Sequence, residues 1–409
     1  MVSPHGRVFY GWYVVAAALV ITTTTSGLAF YNLSILLAAF VSQRGFPVAL
    51  VSAATATFFI AGGIGGLISG RLVDRWDARG VIAINAVIAA GALATVGHLR
   101  ETWELFAFHI VFGFAHGAMS LVPVTVVLAR WFNVQRSLAF SIGTTGLSLG
   151  GILVAPVVAL SIEHYGLAAA APWMALGMLV GMIPVTLFVL RPRPQSMGLE
   201  PDGLSRAQMT EAPVQPSVSY ADAARSRYFF AVSAAYLFLL GAQVGAIAHL
   251  YRLVLTREST QTAALALVVL ATGSMVGRLI GGGLLLKISP HSFGVAMMAV
   301  QGCALALLAV AQGPALILIA TALFAVTIGN SLMVHPLLLV ERFGTRDYGR
   351  IYATSQMIGV VGVAGCPALV GLLYEINRDY LLPFLVIAVI TLLGLVALAG
   401  FAGQKRQRA

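Results

Sequence analysis

The stretch VVLATGSMVGRLIGGGLLL, residues 268–286, decides how the chain is read. It is an apolar run with a single charge, Arg278, near its middle; the nearest acid in sequence is Glu258. At 1.5 Å rise per residue, a run of this length crosses most of a ~30 Å hydrocarbon layer. A cation at bilayer depth costs about 2.5–3.5 kcal/mol on insertion scales, so it faces a bundle interior or a wet cavity and marks a substrate path. The ligand expected for such an arginine is a small organic anion. The run also carries Gly273, Gly277 and Gly281 at four-residue spacing, and Gly62, Gly66 and Gly70 repeat that ridge earlier in the chain. Glycine ridges let helices approach closely in lipid, where packing drives association. If Lys287 marks the membrane edge, Arg278 lies about 14 Å inside, near the midplane.

Working outward, apolar stretches of roughly 20 residues or more recur along the whole chain, each long enough to span. Twelve are expected: the first covers 11–40, the fifth and sixth 136–161 and 166–190, the eighth 261–287, and the last 380–402. Only 9% of the residues are charged, against about 25% in a soluble domain. The first stretch is too long for a secretory signal and lacks a cleavage site, so it counts as a span. Residues 192–224 (PRPQSMGLEPDGLSRAQMTEAPVQPSVSYADAA, polar and proline-rich) interrupt the pattern as a cytoplasmic linker. The expected fold class is therefore an all-α integral membrane protein of twelve transmembrane helices. They form two pseudo-symmetric six-helix bundles, residues 1–191 and 225–409, as in a parallel-repeat carrier with the major facilitator fold.

The net charge of +10 does not point to nucleic acid. Basic residues cluster in alternate loops: Arg71, Arg75 and Arg79; Arg130 and Arg136; Arg342, Arg346 and Arg350; with Arg7 before the first span, Arg206 in the linker, and Lys405, Arg406 and Arg408 in the tail. The opposite loops hold Arg44, Arg100, Arg252, Arg257 and Arg378. The positive-inside rule places both termini in the cytoplasm, in a bacterial-type plasma (inner) membrane. Cys303 and Cys366 both fall in spans and read as packing residues, with no disulfide or metal spacing. No cofactor is implied. The G-x-x-x-x-G-K-[ST] phosphate loop is missing, so ATP is not the energy source.

The loop after the second span reads Gly70-Arg-Leu-Val-Asp74-Arg75-Trp-Asp-Ala-Arg79-Gly80. It resembles the G-x-x-x-D-R-x-x-x-R gating loop of major facilitator proteins; its counterpart, LLLKISPHS at 284–292, lacks the acid. Two further segments are similar to signatures of the monocarboxylate transporters and their bacterial relatives, the oxalate:formate antiporters. One is Phe9-Tyr10-Gly11-Trp12-Tyr13; the other is Trp131-Phe132, Arg136, Leu138-Ala139, Gly146 and Gly150 around the fourth and fifth spans. The resemblance also matches Arg278 to that family's arginine in span 8. It departs where animal transporters carry an aspartate one turn before the arginine, here Ser274, and a lysine in span 1, here Asn32-Leu33. The second cation of the oxalate carrier, in span 11, is missing around Tyr352 to Gln356. One fixed charge suits one carboxylate, which favours monoanions such as lactate or pyruvate over oxalate.

A central cavity would take polar groups from several spans. Tyr31 and Asn32 in span 1 and His116 in span 4 are candidates for substrate contact, with Leu28 and Met119 as apolar lining. In the C-terminal half, Asn330 in span 10 and the pair Ser355 and Gln356 in span 11 join Arg278. The threonines before Asn32 have the competing option of bonding their own helix. Gly143, Gly146 and Gly150 read as a packing surface against span 8 or span 2. No aspartate or glutamate lies deep in any span, so protons would ride on His116, His249 or His335, whose ordinary pKa near 6.5 suits the task. They would otherwise ride with the substrate carboxylate. The resemblance to monocarboxylate transporters implies proton symport by alternating access, and that to the antiporters implies anion exchange; a non-transporting membrane receptor is the reading from a different class. Enzyme motifs are missing. The expected partners are a small carboxylate anion, protons and the lipid bilayer, with the protein a monomer.

Overall fold

The computed structural model describes residues 9–203 and 218–400. Arg7, Arg206, Lys405, Arg406, Arg408 and the middle of the expected linker lie outside the described residues. The described chain is helical, with no β-strand among those residues. Its long apolar helices are α1 Gly11–Arg44, α2 Leu50–Arg75, α3 Ala78–His98 and α4 Thr102–Trp131, then one continuous run Arg136–Val189. After these come α7 Arg227–Arg257, α8 Gln261–Leu284, α9 Pro290–Val310, α10 Pro314–Phe343, α11 Tyr348–Asn377 and α12 Leu381–Ala399.

The run Arg136–Val189 has 54 residues, about 80 Å of helix, far more than one membrane crossing needs. Gly166 breaks it, with φ 78° and ψ 162°, a conformation that only glycine adopts without strain. The next amide, Leu167 N–H, donates to Gln43 Oε1 at 2.8 Å, which ties the break to the end of α1. The result is α5 (136–165) and α6 (167–189), and twelve spans among the described residues. The protein is a multi-pass, all-helical membrane protein.

Two compact units result. One comprises Met1–Tyr220 with Phe343–Thr354, the other Ala221–Arg342 with Ser355–Ala409. In the first, α2 and α4 meet backbone to backbone. A Cβ added at Gly117 would strike the carbonyl oxygen of Gly62, one at Gly113 that of Phe58, and one at Gly65 that of Phe114. Small residues at such a contact replace the hydrophobic drive that lipid removes. The α5 glycines pack on α1: Gly146 abuts Thr22 and Leu19, and Gly150 abuts Ser26 and Gly27. The sequence reading named span 8 or span 2 as their partner; the partner found is α1. Hydroxyls of α1 bridge the same contact, with Thr22 Oγ1 donating to Gly143 O at 2.7 Å and Ser26 Oγ to Gly146 O at 3.2 Å. Both helices widen into π turns there, at Ser26–Phe30 and Gly150–Val154.

The second unit repeats the plan. The ridge Gly273, Gly277 and Gly281 on α8 faces Ala325, Val326 and Asn330 on α10. Gly241 and Gly245 on α7 face Gly362 and Cys366 on α11. An apolar core of Ala246, Leu250, Leu305, Phe324 and Phe384 fills the bundle. Gln301 stitches it, donating to Leu239 O at 3.1 Å and accepting from Thr327 at 3.2 Å.

Both described ends of the segment read as a linker are docked on the first unit. Asp202, at φ 58°, accepts from the amides of Asn133, Val134 and Gln135 at 2.8, 2.7 and 3.1 Å. These lie just before α5, where a helix start leaves amides without internal partners. At the other end, Tyr220 N–H donates to Asp347 at 2.8 Å and the Arg350 guanidinium lies 3.7 Å over the Tyr220 ring. Gly166→Ala should lower stability by about 1–3 kcal/mol through backbone strain alone, because no atom stands closer than 3.6 Å to the added Cβ. Thermal unfolding in detergent checks this.

Candidate functional site

Arg278 emerges from the glycine ridge of α8 and is 1% exposed. Its Nε donates to the carbonyl oxygen of Gly329 on α10 at 2.9 Å. That contact exists because Gly329 has no side chain: a Cβ there would strike Ser274 O and stand 3.0 Å from the Arg278 Cβ. Asn330, the next residue, donates to Gly277 O at 3.0 Å and Val326 O at 2.8 Å, while its buried Oδ1 has no hydrogen-bond partner. The structure thus assembles Arg278, Ser274, Gly329 and Asn330 at one α8–α10 contact. The sequence reading expected a guanidinium open to a cavity. The group found is deeply buried, with its Nε anchored by a backbone carbonyl.

The other candidates of the second unit gather one to two turns further along α10. His335 Nε2 lies 2.7 Å from Ser355 Oγ on α11, and Ser233 Oγ on α7 donates to that same oxygen at 2.9 Å. The imidazole also hydrogen-bonds the Gln356 side chain and stacks on the Tyr236 ring, with centroids 4.0 Å apart and planes 11° apart. Ser331, one turn before His335, donates to Gln243 Oε1 on α7 at 3.1 Å. The buried Nε2 of Gln243 has no hydrogen-bond partner. Gln243, Ser233 and Tyr236 were missed in the sequence. Their spacing along α7, in steps of three and seven residues, puts them on one helix stripe and was the available signal. His249 stands apart as a bridge, its Nδ1 3.2 Å from Tyr380 Oη and its Nε2 3.1 Å from Pro367 O.

In the first unit, Asn32 is fully buried and donates to Leu28 O at 3.1 Å and to the Met174 sulfur at 3.6 Å. Tyr31 is 38% exposed and covers Gly151. Thr22, Thr23 and Thr25 bond the carbonyls four residues back on their own helix. Leu28 and Met119 are buried. His116 stacks on Phe58 at 5.3 Å, and its Nδ1 is buried without a hydrogen-bond partner. Among the described residues, no group of histidine, cysteine and carboxylate side chains could hold a metal ion.

The two family-like signatures meet in space. Phe9 packs on Trp131 and Phe132, each at 5.7 Å; Tyr10 packs on Trp131 at 5.7 Å and Trp12 on Phe132 at 5.2 Å. Gly11 between them has no room for a Cβ against Phe9 and Phe132. Arg136 closes the end of α4 by donating to Phe132 O at 2.8 Å and Ala129 O at 3.0 Å.

The Major Facilitator Superfamily profile matches residues 19–340. The chain belongs to the Major Facilitator Superfamily. Monocarboxylate transporter 13 of Bos taurus is 25% identical over 94% of the chain and 88% of its own length. An MFS-type transporter of Aspergillus niger, pynF, is 31% identical over 104 residues, which is 25% of the chain. The chain spans about a quarter of the length of that fungal relative, 24%. Among solved structures, FucP, a fucose:proton symporter of E. coli, superposes with a TM-score of 0.70 at 15% identity, covering 94% of the chain and 98% of that protein. At that identity the likeness speaks for the fold. The curated relatives named above are transporters.

The superfamily loop after α2 has a clear physical role in the first unit. Asp74 accepts from the amides of Gly349 at 3.0 Å and Arg350 at 2.9 Å, at the start of α11. Arg130 stands 3.6 Å from the same carboxylate and donates to Val73 O at 3.0 Å. Gly70 gives the room: a Cβ there would strike Gly349 O. The helix end that Asp74 serves is an N-terminus, where a carboxylate meets orphan amides and the positive dipole end. Arg79 belongs to a second cap, its Nε donating to Asp77 at 2.8 Å and its amide to Asp77 at 2.9 Å. Burial would raise the Asp77 carboxyl, but the hydrogen bonds from Arg79 outweigh it and hold the group below its ordinary value. Arg75 is exposed. Asp74→Ala should cost about 1–2 kcal/mol, as other N-cap deletions do; melting curves in detergent check that expectation.

Proposed function

We propose that the protein carries small monocarboxylate anions of the lactate and pyruvate class across a bacterial-type plasma membrane, with the carboxylate bound by Arg278. The observation that carries this reading is the guanidinium held inside α8 by the Gly329 carbonyl. The planar guanidinium suits bidentate recognition of a carboxylate. The long match to a monocarboxylate transporter supports the same class. So does Ser274: it stands one turn before Arg278, and a serine supplies no charge to compete with a bound anion.

Transport is proton-coupled symport by alternating access in this reading. A carboxylic acid with a pKa near 4 in water becomes harder to ionise as it is desolvated, so loading the anion into a buried site favours entry of a proton with it. The termini lie in the cytoplasm, as the loop charges imply. Anion exchange of the oxalate:formate kind has less support, because the α11 stretch from Tyr352 to Gln356 supplies no second cation.

The test is a thermal-shift screen of lactate, pyruvate, formate and larger monocarboxylates, followed by uptake into sealed proteoliposomes. Arg278→Gln should weaken binding roughly ten- to hundredfold, the worth of about 1.5–3 kcal/mol for a charged hydrogen bond. Carboxylate flux that survives this substitution would sink the assignment. Binding without any flux in the wild-type protein would favour a receptor.

A further inference from the structure

We infer that the second unit contains a proton wire, in which His335 is the group that takes and releases the coupled proton and Ser355 and Ser233 are its exit. The inference rests on the proton-coupled reading above and names the residues that perform the coupling. Three histidines were candidates from sequence, and their surroundings separate them. His249 holds a hydroxyl and a backbone carbonyl across three segments, which suits a neutral structural bridge. His116 stacks on Phe58, and no hydroxyl or amide side chain bonds its buried Nδ1. His335 is joined to two serine hydroxyls in series, Ser355 and then Ser233, each able to give and accept a proton.

The chain is directional. Ser233 Oγ donates to Ser355 Oγ at 2.9 Å, and Ser355 Oγ lies 2.7 Å from His335 Nε2. With the imidazole neutral and Nε2 unprotonated, Ser355 donates to it. With the imidazole protonated, Nε2–H donates to Ser355, whose hydroxyl turns toward Ser233. Hydroxyl hydrogens rotate to suit either state, so one proton passes by reversing two hydrogen bonds, with no heavy atom displaced and no bond change beyond the O–H and N–H exchanged. Tyr236 from α7 and Ser355 and Gln356 from α11 face His335, and Ser233 stands behind Ser355. The parallel Tyr236 ring offers its π face to an imidazolium. Ser233 lies about 9 Å along the axis from the start of α7, and Ser355 about 10 Å from the start of α11. Both starts flank the arginine-rich loops, so the wire leads toward the cytoplasm.

One turn before His335 on α10, Ser331 donates to Gln243, whose Nε2 is buried at 3% exposure with no hydrogen-bond partner. Arg278 grips the same helix at Gly329, about 9 Å along the axis from His335. Charge loaded at one point on α10 is thus matched by a proton loaded at another.

The test uses the full-length protein in proteoliposomes with radiolabelled lactate and pyruvate, read in two modes: uptake driven by an inside-alkaline pH gradient, and counterflow at equal pH. The wild-type protein should show gradient-stimulated uptake. His335→Gln should lose that stimulation, its uptake becoming independent of external pH, while counterflow falls less than threefold. Ser355→Ala should slow gradient-driven uptake at least tenfold relative to counterflow and shift its pH profile. Arg278→Gln, by contrast, should lose both modes, which separates failure of anion binding from failure of proton coupling. Retained gradient stimulation in His335→Gln, or its loss in His249→Gln or His116→Gln with His335→Gln unaffected, overturns the wire. So does a wild-type protein indifferent to the gradient. If His335→Gln does not fold, Ser355→Ala and Ser233→Ala decide: equal loss of both modes marks a merely structural role.

Discussion

The structure turns on one contact, the hydrogen bond from Arg278 to the carbonyl of Gly329. A cation inside a membrane helix needs a partner that does not cost a second desolvated charge. A backbone carbonyl meets that need only where another helix comes close enough to present it. Gly329 allows the approach, since any side chain there would collide with Ser274. The glycine ridge of α8 extends the same closeness over three turns, against Ala325, Val326 and Asn330. The packing that holds the second unit together and the placement of its buried charge are therefore one feature. The first unit has the packing without the charge: α2 and α4 meet through Gly62, Gly113 and Gly117, and Leu67 stands where the repeat would put the arginine. A repeat that has kept its helix contact and differs in its polar group is what a duplicated scaffold with one specialised half looks like.

Much of this was legible in the sequence because it is written in composition and period. Apolar length gave the spans, and the four-residue glycine spacing gave the paired helices. The span boundary near 166 was legible as well, since a 54-residue helix has no membrane to fit and Gly166 is the residue that can turn it. The aromatic signatures were legible as a resemblance but not as a contact. Phe9 and Trp131 are far apart in the chain, and nothing in either segment says that it packs on the other. The partner of the α5 glycines was misjudged for the same reason: small residues announce a close neighbour without naming it, and hydroxyls on α1 completed the match.

What escaped the sequence was mostly capping at long range. A carboxylate beside its own helix can be recognised from spacing, as Asp77 before α3 can. Asp74 and Asp202 serve helix starts far away in sequence, at Gly349 and at Asn133. Their spacing carries no trace of that partner. The same holds for the polar stripe of α7. Ser233, Tyr236 and Gln243 share a face, yet only the structure shows that His335, Ser355 and Ser331 stand opposite.

The arrangement also bears on why a carrier of this kind can do without an intramembrane acid. A carboxylate in a proton-coupled site stores a proton by losing its charge, and a histidine stores one by gaining it. In the proposed reading, an anionic substrate bound at Arg278 offsets one positive charge and a protonated His335 adds one back. The loaded unit then carries the same net charge as the empty one, provided anion and proton arrive together. Either partner alone shifts the buried charge by a full unit in a low-dielectric interior, where such a shift is expensive. In the proposed reading, pairing of anion with proton follows from charge balance around a fixed arginine, with Arg278 held against α10 at Gly329 and His335 carried on α10.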